Sequence, residues 1–244
     1  MTRYRTTEVG PGVASVRIST DGDPYARPDD LPALRDLVAE LDGSDVRALL
    51  IEGGRHFCAG AERQTLLDPD AADRIGDWVS EAARLLLAIP VPTVAVMAGH
   101  ALGGGFAFGL WCDRAVLARE SLYGAGFVAL GFTPGMGATA VLPEVLGPPV
   151  ARDLLLTGRT LTGAELSDLV PSLSVVPRDE VRERALSLAE DLAGPPIAAV
   201  RLLKSVLAEA RRERLEVALA TERRMHRAIF ANPETRAHIA GRMP

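Results

Sequence analysis

A glycine-rich run in the middle of the chain has the residue types of an anion-binding turn. Residues 91–111 read VPTVAVMAGHALGGGFAFGLW. The β-branched stretch 94–97 predicts a buried strand, which leads to Gly103, Gly104 and Gly105 and then to a helix predicted to begin at Phe106. Glycine lets the backbone approach a ligand closely, and the N–H groups of a first helical turn are unpaired and partially positive. The run therefore predicts a site for an oxygen atom that gains negative charge.

The flanking sequence must position this turn, and its periodicity predicts alternating strands and helices. Strands are predicted at 13–18, 47–52, 114–118, 121–126 and 174–176, and helices at 31–41 and 71–87, with a loop at 53–60. From residue 133 onward the pattern is mostly helical. We expect a mixed α/β protein with a core at 1–190 and a C-terminal helical region at 191–244.

Composition excludes several classes of function. The 244 residues carry 27 Lys and Arg against 32 Asp and Glu, a net charge of -5, which argues against a nucleic-acid partner. No apolar run approaches the roughly 18 residues of a membrane helix, and the first residues lack the apolar stretch of a signal peptide. We expect a soluble cytoplasmic protein without a membrane partner, in which Cys58 and Cys112 are reduced, buried thiols and hold neither a disulfide nor a metal.

Five motifs, in order along the chain, resemble the crotonase, or enoyl-CoA hydratase/isomerase, superfamily. They are HFCAGAERQTLL, GHALGGG, CDRAVLARES, GFTPGMGAT and LLLTGRTLTGAEL. The resemblance implies a spiral of ββα units, a helical trimerisation region, and a homotrimer or dimer of trimers. It also implies a thioester substrate carried on coenzyme A or on the phosphopantetheine arm of an acyl carrier protein. We expect no other cofactor and no metal.

The same resemblance implies which backbone groups hold the thioester oxygen as it becomes an enolate. They are the amides of Ala61, in the CAGA loop, and of Gly104, the middle glycine of the triplet. Each preorganised donor of this kind stabilises a developing oxyanion by about 3 to 4 kcal/mol.

Two residues depart from the hydratases of this superfamily. Hydratases use a pair of glutamates to handle water, and the corresponding positions here are Ala107 and Phe127. Neither side chain can transfer a proton, and the nearest carboxylates, Asp113 and Glu120, are predicted to lie elsewhere. The usual route of hydration is therefore predicted to be closed.

The stretches GHALGGGFAFGL and ARESLYGAGFVALGFTPGMGAT resemble more closely the decarboxylating members found in polyketide β-branching cassettes. That resemblance implies loss of carbon dioxide from a carrier-bound 3-methylglutaconyl-type thioester to give a 3-methylcrotonyl-type thioester. The intermediate is a dienolate that the two amides stabilise, so no activated water is required. An apolar wall of Ala107 and Phe127 is expected to contact the substrate and to favour loss of a desolvated carboxylate.

The decarboxylating relatives also imply two side chains. Their catalytic histidine lies in a setting like TERRMHRAIF, which makes His226 the expected proton donor or carboxylate-orienting group. Their lysine on the helix before the central strand corresponds here to Arg74, which can bind a carboxylate in a bidentate manner but cannot donate a proton. Arg63 is a competing cation. The remaining histidines are interpreted as structural, and they are His56, His100 and His238. Of these, His100 is the second candidate for the catalytic histidine.

Relatives carry an N-R-P-x-x-x-N-A segment that helps to seat the adenine of coenzyme A, whereas this chain reads DGDPYARPDDL at 21–31. The difference is consistent with a carrier-bound substrate, and arginines within 201–224 are candidates for contact with an acidic carrier protein. Three hypotheses remain open. They are a decarboxylase, a hydratase or isomerase that uses unusual residues, and a non-catalytic scaffold.

Overall fold

The computed structural model describes residues 4–67 and 71–242. Its larger sheet has the strand order β1-β2-β3-β5-β7-β10, in which only the β1–β2 pair is antiparallel. These strands are β1 (Thr6–Gly10), β2 (Val13–Arg17), β3 (Ala48–Glu52), β5 (Thr93–Met97), β7 (Arg114–Ala118) and β10 (Ser174–Val176).

A smaller sheet has the order β4-β6-β8-β9, with parallel pairing as far as β8 and an antiparallel β9. Its strands are β4 (His56–Cys58), β6 (His100–Leu102), β8 (Leu122–Gly124) and β9 (Thr160–Thr162). Successive strands of the chain alternate between the two sheets. Each pair of one strand from the larger sheet and one from the smaller sheet is followed by a helix, and these pairs are β3–β4, β5–β6 and β7–β8. This is the expected arrangement of ββα units, and the predicted mixed α/β fold is confirmed.

Helices surround the sheets and form the C-terminal part of the chain. They are α1 (Leu31–Leu41), α2 (Arg63–Leu67), α3 (Ala71–Ala88), α4 (Gly104–Trp111), α5 (Ala138–Leu146), α6 (Pro148–Thr157), α7 (Gly163–Leu169), α8 (Val181–Ala193), α9 (Ile197–Phe230) and α10 (Pro233–Arg242). Within the described ranges, none of them is both long enough and apolar enough to cross a membrane. The division of the chain at residue 190 stays a prediction.

The larger sheet is apolar on both faces, as expected for parallel strands covered on each side. Leu50 and Val94 point to a cluster covered by α8, while Leu49 and Ile51 point to the main core beneath α1, α3 and α4. The 34-residue helix α9 packs chiefly on α3. Consequently α9 brings residues from the C-terminal region against the glycine-rich centre of the chain. Both cysteines are buried, as predicted.

Two local predictions need correction, and one strand was not predicted. Residues 56–58, predicted as loop, form β4. Residues 100–102, to which no element was assigned, form β6. Helix α4 begins at Gly104 and not at Phe106, because Gly103 adopts a positive φ of 54° that the chain needs to turn from strand into helix. Strands this short depend on partners distant in sequence, so local periodicity does not reveal them.

Candidate active site

A largely apolar cavity of about 480 Å³ lies where the loops after β4 and β6 meet α3 and the end of α9. The predicted residues Ala61, Gly104, Phe127 and His226 all line it. Helix α3 adds three apolar side chains to the lining, which are Ile75, Trp78 and Val79. The tertiary structure therefore brings four of the six predicted site residues to one cavity. The other two, Ala107 and Arg74, lie outside its lining.

The glycine triplet and the CAGA loop lie against each other. A Cβ atom on Gly105 would lie 2.2 Å from the carbonyl oxygen of Cys58, so only glycine permits this approach. Gly60 has a φ of 83°, and a Cβ on it would lie 3.6 Å from the amide nitrogen of Gly104. The loops at the ends of two adjacent parallel strands thus present their backbones side by side at the cavity.

The amides of Ala61 and Gly104 are free to serve a ligand. Gly104 is the first residue of α4, where an N–H has no partner within the helix. Among the residues that the structure describes, neither amide donates a hydrogen bond to the protein. Both residues line the cavity. Two unpaired N–H groups next to an apolar space have the chemistry needed to bind a carbonyl oxygen.

The apolar wall beside the triplet is formed by Phe127 and not by Ala107. A Cβ on Gly103 would lie 3.5 Å from Cε1 of Phe127, whose ring makes an edge contact with Phe132 at 5.9 Å between centroids. Ala107 is fully buried in the main core and does not reach the cavity. The predicted contact of Ala107 with substrate stays a prediction, and its apolar side chain leaves no acid at this place.

His226 is 2% exposed and lines the cavity from α9. Its Nε2 lies 3.1 Å from the carbonyl oxygen of Thr133, so Nε2 donates and the neutral ring has its lone pair on Nδ1. Nδ1 is buried and has no hydrogen-bond partner among the described residues. Burial lowers the pKa of His226, and the hydrogen bond to Thr133 only partly opposes this shift. The ring is therefore neutral at physiological pH and becomes a stronger acid when it is protonated.

The two candidate cations are placed differently. Arg74 is exposed on α3, immediately before Ile75 in the cavity wall, and its side chain does not line the cavity. Arg63 begins α2, and its side chain lies outside the described part of the chain. A role for either cation stays a prediction.

The other histidines mostly make structural contacts. His100 Nδ1 accepts the N–H of Leu122 at 2.9 Å, and burial, followed by the charges of His56 and Arg178, lowers the pKa of His100. His238 Nε2 donates to the carbonyl of Ala129 at 3.3 Å. His56 packs 5.2 Å from His100 between ring centroids and also lines the cavity, which its sequence context did not indicate.

The segment DGDPYARPDDL contributes to the site, which sequence reasoning missed. The N–H of Ala26 donates to the carbonyl of Gly60 at 3.0 Å and so fastens this segment to the CAGA loop. Arg27 lines the cavity, but its guanidinium is bound to Asp23 at 2.6 Å and to Glu62 at 3.0 Å, which raises its pKa further. The charge of this arginine is therefore neutralised within the protein.

Comparison with known proteins now identifies the family. Residues 33–242 match the Enoyl-CoA hydratase/isomerase family. The chain belongs to this family of enzymes. Among curated relatives, it is 40% identical over 157 residues to the bacillaene synthase decarboxylase PksI of Bacillus subtilis (strain 168), a match that covers 64% of this chain and 63% of the relative, just under two thirds of its length. It is 33% identical over 195 residues to a probable enoyl-CoA hydratase of Mycobacterium bovis, a match that covers 79% of this chain and 76% of that relative.

Solved structures agree with this assignment. The ECH2 decarboxylase domain of CurF from Lyngbya majuscula superimposes with a TM-score of 0.88 at 26% identity over 98% of both chains. A member of a dehydratase/decarboxylase enzyme couple involved in polyketide β-branching gives a TM-score of 0.87 at 29% identity, again over 98% of both chains. These similarities confirm the crotonase fold and place decarboxylases and hydratases among the relatives of this chain.

Proposed function

We propose that this enzyme decarboxylates a carrier-bound 3-methylglutaconyl-type thioester to a 3-methylcrotonyl-type thioester during polyketide β-branching. The observation that carries the proposal is the character of the cavity. Free backbone donors lie at Ala61 and Gly104, a neutral histidine lies at His226, and the apolar Phe127 stands where the superfamily resemblance implies a hydratase glutamate. Among the described residues of the lining, the only carboxylate is that of Asp30, which accepts the N–H of Arg27 at 2.8 Å.

The proposed reaction breaks the bond between the distal carboxylate and its neighbouring carbon. The electron pair of that bond moves through the conjugated system to the thioester oxygen, and carbon dioxide leaves. The amides of Ala61 and Gly104 bind the resulting oxyanion, which is the charge that develops in the transition state. One proton then replaces the carboxylate on carbon, and we assign its delivery to His226 with solvent as its source.

The apolar wall supports the bond cleavage. A carboxylate loses hydration when it enters a space bounded by Phe127, Trp78 and Val79, and the neutral product tolerates that environment better. We retain Arg74 as the proposed contact for the distal carboxylate as it enters, from the exposed side of α3.

The partner proposed for this site is an acyl carrier protein. One protein of similar structure belongs to a dehydratase/decarboxylase enzyme couple involved in polyketide β-branching, and a phosphopantetheine arm brings far less negative charge than coenzyme A. Arg27, at the cavity, is already committed to Asp23 and Glu62, so it offers little to additional phosphates.

The proposed assembly is a homotrimer or a dimer of trimers. Leu202, Leu203, Val206 and Leu207 on α9 are each at least 57% exposed and form a continuous apolar face. A face of this kind on a helix is typical of an interface between protein chains.

Mass spectrometry of a carrier protein loaded with the 3-methylglutaconyl group tests the proposal directly. We expect the loaded carrier to lose the mass of carbon dioxide when the enzyme is added. Gain of the mass of water, or ready hydration of a crotonyl thioester, would instead select the hydratase hypothesis. Binding of the loaded carrier without any change in mass would select a scaffold.

A further inference from the structure

Glu222 is a buried carboxylate on α9 that the proposed chemistry does not use. It is 2% exposed and does not line the cavity. Its Oε2 accepts the N–H of Gly137 at 2.8 Å, and its Oε1 accepts the N–H and the hydroxyl of Thr139 at 2.9 and 2.7 Å. The carboxylate therefore binds the backbone at the start of α5, where unpaired amides and the helix dipole favour a negative charge.

The bound segment, which we call the 133–139 turn, has an unusual backbone. Met136 has a φ of 64° although it is not glycine, and the following Gly137 has a φ of 68°. Trp111, from α4, donates its indole N–H to the carbonyl of Met136 at 2.8 Å. Side chains from two helices therefore hold the turn in a conformation that its own residues do not favour.

The 133–139 turn also connects the two halves of the site. Gly135 and Met136 line the cavity, and a Cβ on Gly104 would lie 3.8 Å from Cβ of Met136. His226 hydrogen-bonds to the carbonyl of Thr133, and a Cβ on Gly135 would lie 3.0 Å from Cε1 of His226. One turn of the chain thus contacts both the oxyanion-binding glycine and the histidine.

Glu222 and His226 are four residues apart, so they project from the same face of α9. Glu222 binds the C-terminal end of the turn, and His226 binds its N-terminal end. We propose that Glu222 is a positioning residue. Its carboxylate fixes the 133–139 turn so that His226 and the amide of Gly104 keep one relative geometry.

The groups that face Glu222 match a carboxylate better than an amide. They are two backbone N–H donors and one hydroxyl, and an ionised carboxylate only accepts. In Glu222→Gln, the new side-chain amide would turn its N–H₂ group toward one of the two backbone N–H groups, which leaves a buried donor unsatisfied. The turn is then expected to relax from its positive-φ conformation. The catalytic consequence rests on the proposed function, whereas the structural consequence does not.

The test compares Glu222→Gln with Glu52→Gln. Glu52 is also buried, at 7% exposure, and accepts the hydroxyl of Ser15, but it lies on β3 away from the cavity. We expect Glu222→Gln to lower kcat for decarboxylation of the loaded carrier by about tenfold to a hundredfold, with a much smaller change in KM, because a small misplacement of reacting groups acts on the chemical step. Glu52→Gln is expected to keep kcat. Equal kcat values in the two variants would overturn the proposal.

A second measurement needs no activity. The chain has two tryptophans, so its indole N–H signals in an NMR spectrum are readily assigned. Glu222→Gln should accelerate hydrogen exchange of the Trp111 indole and shift the imidazole ¹⁵N signals of His226, while Glu52→Gln should leave both unchanged. Unchanged Trp111 and His226 signals in Glu222→Gln would overturn the positioning role, even if the wild-type protein proved not to be a decarboxylase.

Discussion

Substitution of alanine for Gly105 tests whether the close contact between the glycine triplet and the CAGA loop builds the site. The added Cβ would lie 2.2 Å from the carbonyl oxygen of Cys58, whereas ordinary contact begins at 3.4 Å. The loop must therefore move by about 1.2 Å, and Ala61, three residues after Cys58, must move with it. A displacement of this size costs about a hundredfold in rate when it misplaces a catalytic group. The overpacking should also lower the free energy of unfolding by about 1 to 3 kcal/mol.

Gly104→Ala is the matched control for Gly105→Ala. A Cβ at Gly104 meets only Cβ of Met136, at 3.8 Å, and the residue keeps its N–H. The assay is kcat/KM for decarboxylation of the loaded carrier, measured well below the melting temperature of each variant. We expect a loss of about a hundredfold for Gly105→Ala and little loss for Gly104→Ala. A Gly105→Ala enzyme with wild-type kcat/KM would refute the argument that this contact sets the position of the oxyanion donors.

Three other predictions concern individual groups. Gly104→Pro removes the N–H at the first position of α4, where proline is tolerated. We expect kcat to fall by about a hundredfold or more, while the melting temperature stays close to that of Gly104→Ala. Retention of activity would exclude this amide from the oxyanion site. The pKa of His226 is lowered in the folded state, so its contribution to stability is present above the unfolded value of 6.5 and is lost as the pH falls through the folded pKa. Melting temperatures measured between neutral and acidic pH should therefore fall less in His226→Gln than in the wild type, and decarboxylation should be nearly abolished; an identical pH profile would contradict the buried neutral state. Arg74→Ala should raise KM for a dicarboxylic thioester more than for a monocarboxylic analogue, and an equal change for both would remove Arg74 from carboxylate binding.

Local sequence signals were sufficient where one element carries the information. Alternating apolar residues predicted β2, and short apolar or β-branched runs predicted β3, β5 and β7, because these signals lie within each strand's own residues. The motifs shared with the crotonase superfamily implied Ala61 and Gly104 as the backbone donors, and such motifs can be recognised from the sequence alone. His226 was found from the motif around it, and the structure places it on the same cavity as these two residues.

Contacts between distant segments were not predictable in this way. Ala107 was expected to contact the substrate, and the structure places it buried in the core outside the cavity lining, whereas Phe127 lines the cavity. Arg27 reads as a free cation in the sequence, yet Asp23 and Glu62 neutralise it in the fold. Glu222 reads as a surface residue of a polar helix, yet it is buried against Gly137 and Thr139, which lie 85 and 83 residues away along the chain.

The sequence by itself determined the family, because the matching motifs are short and ordered along the chain, and it determined that no acid stands at 107 or 127, because that is a matter of residue type. Only the tertiary structure decided which side chains share the cavity and which charges are already paired. Such pairings depend on distances across the fold, and the order of residues along a chain does not contain those distances until the chain has packed.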